Sequence, residues 1–211
     1  MSINENYPHI ADHIAEAMQR LGDMPETLPQ RIEQAAAHIS QQLVSGNKLL
    51  VQGTAGIAPL AGLFCYNLLQ RYPEQRPALP AIILPSSNLP VAAELMPSGT
   101  PSQANSNSPE FRQFFRAAEA IANKGDVLLL LADQRMPGII PALEQFHASR
   151  GASTILMAPE PASNSPGNTH TKHIPLEYDT IAGIHEMSLF ILNTLGDMID
   201  AAVFGGMHFS G

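Results

Sequence analysis

Two glycine-bearing turns, a scatter of histidines and one cysteine are where this chain of 211 residues could do chemistry. The first turn reads "GTAGIAP", Gly53 to Pro59, between the apolar run "KLLVQ" and a segment with helical rhythm. A strand–turn–helix junction of this kind seats phosphate when backbone N–H groups and hydroxyl side chains converge on the oxyanions. Here Gly53 and Gly56 supply the turn and Thr54 is the one hydroxyl. The residues match neither the Gly-Lys-Ser/Thr phosphate loop nor the dinucleotide fingerprint. Pro59 suits a first helical turn, so these residues alone favour a tight turn without a ligand. The second turn, "LLADQRMPGII", contains no serine or threonine. Asp133 would repel an anion there and Arg135 would attract one; the reading is a plain loop with solvated charges.

Eight histidines raise the question of a metal. "THTKH" sets His170 beside His173, in an expected loop with no carboxylate close in sequence. His185 opens "HEMSL" as a zinc-protease helix would, but the second histidine one turn on is missing. No metal and no cofactor are expected. Cys65, between Phe64 and Tyr66 on an expected helix, reads as a packed, inert thiol. As the single cysteine it excludes an internal disulfide and suits a reducing cytoplasm. Asp197 and Asp200 in "GDMID" read as a solvated helix edge.

The elements that must hold these residues follow from periodicity. Ile10, Ile14, Met18 and Leu21 recur at helical spacing until "GDMP" interrupts them. Leu28, Ile32, Ala36, Ile39 and Leu43 mark a second helix stopped at "SGNK". Then "KLLVQG", "LPAIILP", "DVLLLLAD" and "ASTILMAP" appear as short continuous apolar runs, the pattern of strands buried on both faces. A further strand is expected at "KHIPLE". Helices are expected over 58–71, 110–123 and 139–149, and a long last one over 180–204 carries Ile184, Met187, Ile191, Leu195 and Met198 as its apolar stripe. Strands alternating with helices predict a parallel sheet with crossover helices. The stretches 96–109 and 159–171, rich in Pro, Ser, Asn and Gly, read as loops.

Bulk properties narrow the function. With 45% hydrophobic and only 14% charged residues, the chain has one sizeable core, and its apolar surface exceeds what one subunit readily hides. A net charge of -8 argues against direct nucleic-acid binding, which needs a basic stripe. The first twenty residues have no apolar core of a signal peptide, and "DVLLLLAD" is too short to span a bilayer. A cytoplasmic protein without a membrane segment is expected.

Taken in order, the two leading helices, "SGNKLLVQG", "RYPEQRPALPAI", "NKGDVLLLLA" and the final "IHEMSLFILNTLGDMIDAAVF" resemble the sugar isomerase (SIS) domains. The subgroup is that of phosphoheptose isomerase and the DiaA-type initiator-associating proteins. The resemblance covers nearly the whole chain and is most specific at Arg76 to Ile82, Lys124 to Leu129 and His185 to Asp200. It implies a single α/β domain over 1–211, with a helical pair (1–46) leading a five-stranded parallel sheet flanked by helices (47–211). It also implies a homotetramer.

The same resemblance locates a site and empties it. Family enzymes hold the ligand's phosphate with a Gly-Asn-Gly-Gly/Thr-Ser turn; its asparagine falls on Thr54 and its serine on Ile57. Their second, Ser/Thr-rich phosphate loop is replaced by Ala132 to Gly138. The catalytic glutamate falls on Asn67 and the essential histidine on Asn193; an amide does not shuttle protons near neutral pH. Two further positions that help bind zinc or substrate become Leu63 and His185. The expected pocket is therefore a degenerate one with no catalytic residue: Gly53, Thr54, Gly56, Ile57, Leu63, Asn67, Asp133, His185 and Asn193. The ending "LGDMIDAAVFGG" is closer to DiaA-type proteins, homotetramers that bind the replication initiator DnaA and assist its assembly at the origin, so Val203 and Phe204 are expected to contact a partner or another subunit. An adaptor for the initiator, a phosphosugar-binding protein or isomerase with an unconventional site, and a module sensing another small ligand remain as the three readings.

Overall fold

The structure, a computed structural model of the chain, describes residues 7–54, 56–70, 76–85, 109–136, 138–159, 170–178 and 180–205. Its helices are α1 (Tyr7–Gly22), α2 (Leu28–Val44), α3 (Ala58–Gln70), α4 (Pro109–Ile121), α5 (Ile139–Arg150) and α6 (Ile181–Phe204). Its strands are β1 (Leu49–Gly53), β2 (Ala81–Ile83), β3 (Val127–Leu131), β4 (Ser153–Ala158) and β5 (Thr171–Pro175). They form one sheet in the order β2-β1-β3-β4-β5 with every neighbouring pair parallel. The expected α/β fold is the observed one. Most of the two expected loops, 96–109 and 159–171, lies outside the described residues.

The sheet carries helices on both faces, so its central strands must be apolar on both. Along β1 and β3 successive residues go to opposite sides. Leu49, Val51, Val127, Leu129 and Leu131 pack with α2, α3 and α6. Leu50, Leu128 and Leu130 pack with Phe114 and Phe115 of α4 and Phe146 of α5. Each such buried side chain contributes roughly 1.5–3 kcal/mol relative to exposure, which is why the strands read as unbroken apolar runs. β2 departs from that expectation: it is a three-residue edge strand whose Ile82 and Ile83 are exposed.

Polar ties fix the framework at its ends. Asp126, just before β3, accepts from the backbone N–H of Lys48 (3.0 Å) and of Asn123 (2.7 Å) and pairs with the Lys48 ammonium, aligning the starts of β1 and β3. Arg76 pairs with Asp200 of α6 at 3.1 Å while donating to the carbonyls of Asn67, Leu68 and Pro77. Asp200 is 1% exposed; the expectation of a solvated helix edge fails there because the guanidinium supplies its charge partner. Asp197 is exposed as expected.

α6 is a core helix. Thr180 caps its start, its hydroxyl accepting from the Gly183 N–H at 3.0 Å. Its Ile184, Met187, Ile191, Leu195 and Ile199 are buried. At 24 residues it is also, by length and composition, the one described helix apolar enough to cross a bilayer, although its stripe is packed in the core with α2 and α3. α1 is held differently. Its Arg20 pairs with Glu186 of α6 at 2.6 Å, beside Gly183, where a β-carbon would come within 3.1 Å of the Arg20 Cδ. Its apolar stripe faces outward: Ile10, Ile14 and Met18 are 56%, 55% and 68% exposed.

Candidate functional site

In an open parallel sheet the natural crevice lies beyond the C-terminal ends of the strands where the strand order reverses. Here that point falls between β1 and β3, so the turns after those two strands face each other. Thr54 follows β1 and Asp133 follows β3, and α6 brings His185 over both.

The first turn is tight because Gly53 is packed on the helix it precedes: a β-carbon at Gly53 would lie 2.7 Å from the Ala58 Cα. The Thr54 carbonyl accepts from the N–H groups of Ile57 (3.0 Å) and Ala58 (2.8 Å), and Pro59 has no N–H to offer. Few of the donors that make a helix start attractive to a phosphate are left over. Ile57 is fully buried in the core, so at this position the chain turns an apolar side chain inward.

Asp133 fills the space between the turns. Its carboxylate is 7% exposed, although Gln134 and Arg135 beside it are exposed. The Thr54 hydroxyl donates to Oδ1 at 3.0 Å, and Nε2 of His185 lies 3.3 Å from Oδ2. A carboxylate only accepts, so Nε2 carries the hydrogen in that bond. Asp133 Oδ2 also lies against Gly56, where any β-carbon would collide with it. The expectation of a solvated Asp133 is thus overturned: a hydroxyl, an imidazole and a missing side chain together accommodate it. The arrangement is not that of a nucleophile. A hydroxyl is activated by a neighbouring imidazole that an acid group orients, whereas here the carboxylate stands between the two.

The other expected pocket residues are dispersed. Leu63 is exposed on α3 at 43%. Asn67 is half-buried near the end of α3, where its backbone carbonyl receives Arg76. Asn193 is exposed on α6, two turns beyond His185. Of the expected partner contacts, Val203 and Phe204 are half-buried against the core, and the Arg76 guanidinium lies 5.5 Å from the Phe204 ring centre. Sequence reasoning missed Ser188, which is fully buried on α6 with no partner for its hydroxyl among the described residues. A serine inside an apolar stripe was the available signal.

No group of three or more His, Cys, Asp or Glu among the described residues could hold a metal. His173 lies on β5 rather than in a loop, its Nε2 3.1 Å from the Ala158 carbonyl, while His170 stacks on His147 with ring centres 4.0 Å apart. At the start of β4, beside β5, His38 of α2 meets the Ser153 hydroxyl at 2.6 Å; burial and the nearby Lys172 lower its pKa. Among the described residues no third group orients that imidazole.

No family model matches the chain. A phosphoheptose isomerase of Shewanella frigidimarina is 30% identical over 197 residues, 92% of this chain and 95% of the relative. A phosphoheptose isomerase structure from Francisella tularensis superposes with a TM-score of 0.70 at 25% identity, over 95% of this chain and 99% of the other. A chain of a HobA–DnaA (domain I–II) complex from Helicobacter pylori shares the fold at 15% identity and a TM-score of 0.57, over 96% and 93% of the two chains.

Proposed function

The chain belongs to the phosphoheptose isomerase family of SIS domains, and from that premise we propose that it keeps the scaffold without the chemistry, serving as a homo-oligomeric adaptor for the replication initiator DnaA. The observation that carries the non-catalytic half is the pair Asn67 and Asn193. These are the positions at which the resemblance places the proton-moving groups, and both are amides. Moving a proton between adjacent sugar carbons needs a group that titrates near neutral pH. Among the described residues shown to meet at the crevice, the titratable group besides Asp133 is His185, and its Nε2 is engaged by that carboxylate. One engaged imidazole does not replace an acid and a base.

The adaptor half is supported by exposed apolar surface and by likeness of fold to a chain found in a HobA–DnaA complex. The stripe of α1, with Leu63, Tyr66 and Leu69 of α3 and Leu189 and Phe190 of α6, is more apolar area than a lone subunit needs to present. A second copy covers such a surface naturally, and an oligomer presents several equivalent patches, raising the effective concentration of bound initiator. The acidic balance suits a partner that is itself basic where it holds DNA.

The test uses the purified chain with DnaA and with sedoheptulose 7-phosphate. The expected results are capture of more than one DnaA per oligomer and no turnover of the sugar phosphate. Turnover would overturn the non-catalytic reading, and absent capture would overturn the adaptor. The second reading, a phosphosugar isomerase with an unconventional site, is favoured by the relatives' activity and predicts the turnover that the first denies.

A further inference from the structure

The crevice between the two turns is occupied, and by the chain itself. Burying a carboxylate is costly unless each oxygen finds a donor. Asp133 meets that condition with donors from two distant parts of the chain, the Thr54 hydroxyl on Oδ1 and the His185 imidazole on Oδ2. Room for it exists because residue 56 has no side chain; with any other residue there the carboxylate would have to move. Its exposed neighbours Gln134 and Arg135 show that the turn can point its polar groups outward. The inward aspartate thus behaves as a small oxyanion bound in a fitted seat.

We propose that Asp133 is a built-in occupant: its carboxylate takes the place of a small oxyanion between Thr54, Gly56 and His185, closes the crevice to free carboxylates and phosphates, and leaves an open seat for them when it is removed. A second anion cannot approach while Asp133 is in place, because the same two donors are taken and like charges repel at contact distance. Asp133→Ala deletes the equivalent of one formate and leaves the Thr54 hydroxyl and His185 Nε2–H without an acceptor. A free oxyanion that restores both bonds binds the folded state alone and raises its stability. The idea concerns what the pocket excludes and stands apart from the adaptor reading, which DnaA capture by the unaltered chain scores separately.

The probes are sodium formate and inorganic phosphate, compared with chloride at matched ionic strength in thermal unfolding. The unaltered chain should melt alike in all three. Asp133→Ala should melt lower in chloride, and formate or phosphate should return about 2–4 °C of that loss, the shift expected for roughly 1 kcal/mol in a chain of this size. Should the variant fail to melt cooperatively in chloride, recovery of a cooperative transition in either anion carries the same meaning. Thr54→Val in the Asp133→Ala background should abolish the gain. An unaltered chain stabilised as much as the variant, or a variant indifferent to both anions, overturns the proposal.

Discussion

Cys65 shows how completely a residue's neighbourhood decides its chemistry. It lies on α3 at 2% exposure, and burial pushes its thiol up to about 12, far from any thiolate at neutral pH. Labelling by a thiol reagent at pH 8 should therefore proceed only through unfolding. Its rate should rise with urea along the unfolding transition, and a fast native-state reaction would contradict this burial. This thiol was legible in the sequence because a lone cysteine on an apolar helix is ordinarily packed inside. Asp133 and Asp200 were not, because what buries them is remote. Thr54 is 79 positions from Asp133, and Arg76 is 124 from Asp200. Charges in a turn and at a helix end are ordinarily solvated, and only the folded chain brings in the partner that reverses this.

Among the elements, the end of α6 is bound to the end of α3 by Arg76, with side chains 5% and 2% exposed at the Arg76–Asp200 pair. Breaking one side of such a pair strands a buried charge, at a cost of about 3–5 kcal/mol. Asp200→Ala should lower the urea midpoint accordingly, whereas replacing both partners with Arg76→Met and Asp200→Leu should cost less than either single change. Equal losses in the single and double variants would show that the pair is not the source. The Arg76-to-Ile82 segment that carried part of the family resemblance thus has a structural explanation, as does Lys124 to Leu129 through Asp126. Helix and strand positions were legible because α6 and the central strands have strong periodicities or unbroken apolar runs. β2 was misjudged for the same reason: an apolar run reads alike whether its strand lies at the centre or the edge.

For the molecule as a whole, the outward stripe of α1 is the feature that the proposed self-association must account for. Ile14→Glu with Met18→Glu places two charges on residues that are 55% and 68% exposed in one subunit, so the subunit's own fold should be little disturbed. Light scattering should then report a mass reduced towards 22.7 kDa with circular dichroism unchanged; an unaltered mass would remove α1 from the interface. How α1 is attached has its own consequence. Glu186 grips α1 through Arg20, and His185, its immediate neighbour in the chain, grips Asp133. A single turn of α6 therefore carries both attachments, the arm outside and the carboxylate within.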